Sequence, residues 1–398
     1  MVGLLGARQV GKSTLARALA EGDLPAGYVT LDGEATHSLA ADDPTGFVAG
    51  LDTPVVIDEI QRLPELLVAI KARVDRDNAP GQFLITGSAN LRRLPTISDA
   101  LPGRVDYLTL WPFTQGELDG RRDRFLPSLF AANPPWESDP PGNRSGYADR
   151  LLTGGFPEAA RRSERGRLRF FDGYLSSIIG RDIVETSRVH DPAAVGDLLR
   201  LIAARSGSIA RYQRLGSELG LDGKTIKSYV DVLERIYLIR VRRPWHVNLG
   251  KRQVRAPKLY VADTGLLAGL VGVDSHRFGS DPDVAGSIVE TFVATELERQ
   301  ASWFGEPLTF WHYREGEREV DVIIERPSGE IIGVEVKAGA TVRPRDVAGL
   351  RHLQAKVGER MRAGVVLYTG DQVIPFGARL WALPLAALWG RRGPDSSR

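Results

Sequence analysis

The chain reads as an α/β protein: a parallel sheet flanked by helices, then a helical domain, then a second α/β domain at the C-terminal end. Three observations predict this. Residues 1–115 alternate short apolar runs with helical stretches, the pattern of parallel strands joined by crossover helices. Residues 192–245 change to short amphipathic helices and a strand alternating apolar and basic residues. Past residue 280, a long helix precedes strands that carry acidic side chains. At 398 residues the chain exceeds one ordinary core, so two or three domains are expected.

The first strand and helix are the most informative. Leu4-Leu5 leads into Gly6-Ala7-Arg8-Gln9-Val10-Gly11-Lys12-Ser13, followed by Thr14 and the helical run Leu15-Ala16-Arg17-Ala18-Leu19. This is a phosphate-binding (Walker A) loop, G-x-x-x-x-G-K-[ST], in its strand–loop–helix setting. Glycines let backbone N–H groups curl around phosphate oxygens at a helix N-terminus. Gly6 to Thr14 are therefore assigned to the nucleotide, with Lys12 reaching the β- and γ-phosphates and the Ser13 hydroxyl on Mg²⁺.

Tyr28-Val29-Thr30-Leu31-Asp32 supplies the second strand. Pro54-Val55-Val56-Ile57-Asp58-Glu59 is an apolar run closed by two carboxylates, the form of a buried parallel strand whose C-terminal end meets a ligand. Asp58 is assigned to the Mg²⁺ shell and Glu59 to the attacking water. Another strand, Gln82-Phe83-Leu84-Ile85, ends in Thr86-Gly87-Ser88-Ala89-Asn90. A polar group there can sense the γ-phosphate; Thr86 is the first choice and Asn90 the second. Arg104 to Leu110 is a later strand. The ligands predicted are ATP and Mg²⁺.

Composition bounds the rest. A chain 42% hydrophobic and 26% charged is globular in kind. The absence of Cys excludes disulfides and thiolate metal sites and suits a reducing cytosol. Met1-Val2-Gly3-Leu4 runs straight into the first strand, so no signal peptide is expected. The apolar stretch Leu380 to Gly390 is too short to span a bilayer and contains Pro384. The predicted location is cytoplasmic, with no membrane contact. Residues 195–252 hold twelve Lys/Arg against five Asp/Glu, within a chain of net charge +2. That local excess points to a polyanionic partner, DNA.

The parts then fall in order. Residues 1–147 are predicted as the ATPase domain, with the Pro/Gly-rich 119–147 as a loop; residues 148–191 form a helical connector. Residues 192–270 follow with the amphipathic Val195 to Ala204, then Leu215 to Gly220, and a helix from Lys224 to Ile236 that Asp222 can cap. Tyr237 to Arg243 alternates apolar and basic residues, as a strand with one solvent face would. Helix, turn, helix and basic strand are the winged-helix order. The second helix would offer Lys224, Thr225, Lys227 and Ser228 to a phosphate backbone; a winged helix that binds protein is the alternative.

In residues 280–390, Asp321 is followed by Glu335-Val336-Lys337, the D…E-x-K spacing of the PD-(D/E)xK nuclease fold. Glu335 and Lys337 stand two apart on a strand, so both point to one face, and Asp321 comes from its neighbour. Asp321 and Glu335, with Glu290 from the preceding helix, are the candidate ligands of a second metal. Lys337 would orient hydroxide for attack on a phosphodiester. An inactive scaffold is the other reading of the same residues.

Together, Gly6 to Thr14, Val55 to Gln61, Leu84 to Asn90 and Gly103-Arg104 resemble bacterial and archaeal AAA-type ATPases that carry a C-terminal domain of uncharacterised role. Gly154-Gly155-Phe156-Pro157, Tyr260-Val261-Ala262-Asp263-Thr264-Gly265-Leu266, Glu319-Val320-Asp321 and Glu335-Val336-Lys337 resemble that group's C-terminal half. The resemblance implies an ATP-binding AAA-like core, a winged-helix region and a nuclease-like end. It also implies that Arg104 is either an arginine finger acting on a neighbouring subunit or a structural residue. Related chains usually place a helical segment before the first strand, and here the loop begins at Gly6. Either translation starts upstream, or this version lacks the segment that packs over adenine.

The leading expectation is an ATPase that uses Mg-ATP to control a DNA-binding C-terminal half. An ATP-gated metal-dependent nuclease is one alternative. An ATP-dependent switch that binds a protein partner, with the nuclease-like domain inert, is the other. Assembly into a homo-oligomer is left open.

Overall fold

The computed structural model describes residues 1–88, 103–131, 143–183, 189, 191–247 and 256–390. The chain divides into two compact units, Met1–Trp111 with Arg235–Leu238, and Pro112–Glu234 with Ile239–Arg398.

The first unit is built on five parallel strands: β1 (Val2–Leu5), β2 (Gly27–Thr30), β3 (Val55–Asp58), β4 (Phe83–Gly87) and β5 (Asp106–Thr109). Their order across the sheet is β2-β3-β4-β1-β5, with Leu4 beside Thr86 and Leu108. A parallel sheet is covered on both faces, so its inner strands read as continuous apolar runs. All four residues of β3 are buried, as are Leu4, Leu5, Phe83 and Ile85. Burying each such side chain contributes about 1.5–3 kcal/mol. The Lys12–Glu21 helix returns from β1 and lays Ala16 and Ala20 against Val56. Small side chains on that face bring the helix axis close to the sheet.

The order places β4 between β1 and β3. The C-terminal ends of all three open on one edge, where an α/β sheet holds its ligand. The phosphate-binding loop, Asp58 and Thr86 follow from that single fact.

The second unit begins earlier than the predicted ATPase boundary at residue 147. The Phe113 N–H donates to the Gly155 carbonyl at 2.7 Å, the Phe113 carbonyl accepts from Arg299 Nη1 at 3.0 Å, and the Gln115 N–H donates to Glu296 Oε1 at 2.9 Å. Residues 112–131 thus belong with the C-terminal half, whose Gly155, Glu296 and Arg299 satisfy the backbone groups of Phe113 and Gln115. Most of the Pro/Gly-rich run, residues 132–142, lies outside the described residues.

Three helices follow, Pro192–Ala203, Tyr212–Leu219 and Gly223–Arg235, before the antiparallel pair β6 (Ile239–Arg242) and β7 (Lys258–Val261). Asp191 caps the first through the Ala194 N–H. Asp222 caps the third through the Lys224 and Thr225 N–H groups. Ile209 makes a further antiparallel bridge to Lys258.

The C-terminal sheet has six strands in the order β12-β13-β11-β10-β9-β8. They are β8 (Thr309–Glu315), β9 (Arg318–Glu325), β10 (Ile331–Lys337), β11 (Met361–Tyr368), β12 (Ile374–Gly377) and β13 (Leu380–Pro384). β8, β9 and β10 are antiparallel neighbours, while β11 joins β10 in parallel through the Ala348–Val357 helix. That helix packs Leu350 and Leu353 into a core with Val320, Ile323 and Val366. Gly349 makes the approach feasible, since a Cβ there would overlap the Glu319 carbonyl oxygen. Among the described residues no helix is long and apolar enough to cross a membrane.

Candidate functional site

At the first site, the loop after β1 turns on three residues with positive φ, Gly6 (156°), Gln9 (60°) and Gly11 (98°). Gly6 also lies against the end of β5: a Cβ there would overlap the Leu110 carbonyl oxygen. Gly11 starts the Lys12–Glu21 helix, and the Leu15 N–H donates to its carbonyl at 2.9 Å. The first N–H groups of that helix and the positive end of its dipole face the loop, a fit for phosphate. Lys12 is only 4% exposed, and its ammonium donates to the Ala7 carbonyl across the loop at 2.8 Å.

Asp58 is the centre of the site. It is 4% exposed at the end of β3, and three hydroxyls converge on it. Ser13 donates to Oδ1 at 3.0 Å, Thr86 donates to the same oxygen, and Tyr28 donates to Oδ2 at 2.8 Å. Thr86 in turn accepts from the Glu59 N–H at 3.0 Å, so one hydroxyl aligns both carboxylate-bearing residues. Glu59 itself has φ 59°, a left-handed turn that swings it out of the strand. The Gln61 amide holds its side chain and donates to Ser88 Oγ at 3.0 Å. Burial and then the Asp58 carboxylate push the Tyr28 phenol above its ordinary value.

Sequence reasoning placed Lys12, Ser13, Asp58, Glu59 and Thr86 here, and the structure brings them together. Tyr28, Gln61 and Ser88 were missed: Tyr28 stands inside β2, Gln61 in the 3-10 turn Ile60–Arg62 after β3, and only Ser88 follows a strand end directly. Asn90 lies outside the described residues. Arg104 does not converge on the site. It precedes β5 at the N-terminal end of the sheet, where its carbonyl accepts from the Met1 amino group and its guanidinium pairs with Asp75. Its chain position, not its charge, sets it apart from the loop edge.

The C-terminal constellation differs from expectation. Asp321 on β9 and Glu335 on β10 are neighbours, and Asp321 Oδ2 accepts from the Val336 N–H at 3.0 Å. Lys337 donates to Glu335 Oε1 at 2.8 Å, as their shared face requires. Glu290, from the Pro282–Ala301 helix, faces Asp321. The space between them holds Lys258 of β7, with its Nζ 3.0 Å from Asp321 Oδ1, 2.9 Å from Glu290 Oε1 and 2.7 Å from Glu319 Oε1. Tyr260 also donates to Glu290 Oε1 at 2.8 Å.

Burial, and then Asp321, push the Glu290 carboxyl up to about 7; the same causes raise Glu335 well above the carboxylate range. Burial alone would lower Lys258, but Asp321, Tyr260, Glu290 and Glu319 outweigh it and hold its ammonium well above the usual value. Among the described residues no group of three His, Cys, Asp or Glu side chains is arranged to hold a metal ion. Of the three carboxylates expected to hold a second metal, Glu290 and Asp321 pair with the Lys258 ammonium and Glu335 pairs with Lys337.

The predicted basic strand is also turned inward. Arg242 is 3% exposed, and Arg240 and Arg242 both pair with Glu298, so the solvent face expected of β6 is a buried ion-pair face. On the Gly223–Arg235 helix, Lys224, Lys227 and Ser228 are exposed, whereas the Thr225 hydroxyl donates to Asp222 at 2.6 Å. The Gly154-Gly155 and Asp263-Thr264-Gly265 motifs meet one another. Buried Asp263 caps its own helix and accepts from the Gly155 N–H and from Arg299, each at 2.8 Å. Their role is to join segments.

The fold and the first site define an ATP-binding P-loop protein of the AAA type. Residues 1–119 match the AAA domain. Residues 144–277 match a domain of unknown function (DUF8612), and residues 285–388 another (DUF4143). The chain belongs to the same family as the Uncharacterized protein Rv2008c of Mycobacterium tuberculosis and the Uncharacterized protein Mb2031c of Mycobacterium bovis. Each is 30% identical over 384 residues, which cover 96% of this chain and 79% of the relative. Among solved structures, the RuvB Holliday junction branch migration motor of Thermotoga maritima is similar at 20% identity and a TM-score of 0.28. That match covers 60% of this chain and 80% of that one.

Proposed function

We propose that the protein hydrolyses Mg-ATP at the first site and that its C-terminal half binds DNA. The observation that carries the ATPase reading is the convergence of Ser13 and Thr86 on one oxygen of Asp58. A hydroxyl and a carboxylate are the hard oxygen donors that Mg²⁺ takes while keeping most of its waters. Ser13 and Asp58 would hold the ion, the loop N–H groups and Lys12 would hold the phosphates, and Glu59 would orient water. Bound Mg²⁺ would neutralise phosphate charge. Lys12→Ala is expected to abolish ATP turnover in a phosphate-release assay; normal turnover in that variant ends the proposal.

The DNA reading is supported by the exposed Lys224 and Lys227 on a helix that follows a short turn, in winged-helix order. The inward Arg240 and Arg242 remove part of the basic surface counted from sequence. A second reading is favoured by Lys258. With that ammonium among the carboxylates, the terminal domain serves as an inert scaffold and ATP governs docking of a protein partner. ATPase activity that ignores DNA and responds to a co-purified protein would select it.

A further inference from the structure

We infer that Lys258 is the resident cation of the acidic centre, paired with Glu290 and Asp321, two of the three carboxylates that a divalent metal there would use. An ammonium has three N–H donors and no acceptor. Lys258 meets three carboxylates, one each from Glu290, Glu319 and Asp321, at 2.7–3.0 Å. Two of its donors make charge-assisted hydrogen bonds, to Glu290 and Asp321, and Glu319 completes the set as an ion pair. Those separations are hydrogen-bond lengths. Mg²⁺ needs oxygens at about 2.0–2.1 Å in an octahedron with several waters.

The ammonium is also fixed from behind. Lys258 is 3% exposed, pairs with Arg242 in the β6–β7 ladder and with Ile209 in a bridge. A metal could reach the same oxygens only by expelling a buried side chain whose backbone is held on both sides. Of the Glu335 oxygens, Lys337 occupies Oε1 and only Oε2 is left without a hydrogen-bond partner. The centre is thus an internal salt-bridge knot that ties β7 to the Pro282–Ala301 helix and to β9. This inference is independent of ATP hydrolysis and of DNA binding.

The test is Mn²⁺ binding to the full-length protein without nucleotide, read from the electron paramagnetic resonance signal of free Mn²⁺. Wild type and Glu335→Gln, which leaves all three partners of Lys258 in place, are expected to bind the same number of Mn²⁺ ions. Lys258→Ala is expected to gain one further ion, lost again when Asp321→Asn is added. Two results overturn the inference. One is a Mn²⁺ ion on wild type that disappears in Glu335→Gln. The other is a folded Lys258→Ala protein that gains none. If Lys258→Ala does not fold, the comparison of wild type with Glu335→Gln decides alone.

Discussion

Replacing Thr86 by Val tests how the ATP site is organised, because the change keeps shape and removes a single hydroxyl. That hydroxyl donates to Asp58 and accepts from the Glu59 N–H, and Thr86 is fully buried. A hydrogen bond to a charged group contributes about 1.5–3 kcal/mol. If Asp58 must keep that orientation when Mg-ATP reacts, turnover should fall roughly 10- to 150-fold, at 1.36 kcal/mol per decade. The Glu59 N–H also loses its acceptor, which adds about 1–3 kcal/mol of lost stability. Steady-state phosphate release gives the first quantity and thermal melting the second; binding of a non-hydrolysable ATP analogue separates affinity from chemistry. A folded Thr86→Val protein with wild-type turnover would show that Thr86 only packs the strand end, and the reasoning about Asp58 would fail.

Three other outcomes follow from the same geometry. Gly6→Ala should cost more stability than Gly11→Ala: at Gly6 a Cβ meets the Leu110 carbonyl, whereas at Gly11 it meets nothing within 4 Å and only the φ of 98° is strained, a cost of about 1–2 kcal/mol. Equal melting losses would contradict this. Lys224→Ala with Lys227→Ala should reduce the slope of log K for DNA against log salt by about 2; an unchanged slope places the phosphate contacts elsewhere. Glu296 is fully buried, and burial pushes its carboxyl up to about 8. A raised carboxyl favours the folded state below its unfolded value, so that contribution is lost as pH climbs from about 4.5 through 8. The loss is on the order of 4 kcal/mol. Glu296→Gln should flatten the decline, and an unaltered pH profile in denaturant melts would refute it.

What was legible in the sequence was what is local. The loop from Gly6 to Thr14 carries its own geometry, and β3 reads as a buried parallel strand because both its faces are covered. Thr86 could be chosen because a strand end in such a sheet points at the ligand. Arg104 precedes its strand, which puts it at the opposite end of the sheet, where it pairs with Asp75. The inward Arg240 and Arg242 were illegible because their partner, Glu298, lies more than fifty residues on, and an alternating basic strand looks the same whether its charged face meets water or a buried carboxylate. Lys258 gave no local signal at all. It stands in an apolar strand far along the chain from Asp321, and only the folded arrangement makes it the third party to the D…E-x-K pattern.

The buried charges of the second unit share one element. Along the Pro282–Ala301 helix, Glu290 takes Lys258 and Tyr260, Glu298 takes Arg240 and Arg242, and Arg299 takes Asp263. Every one of those partners lies on β6, on β7 or just after β7. Breaking a buried pair leaves a charge without compensation, which costs far more than separating an exposed one. β6, β7 and the turn after β7 are therefore tied to one helix, and Lys258 carries the tie on to Asp321 of β9.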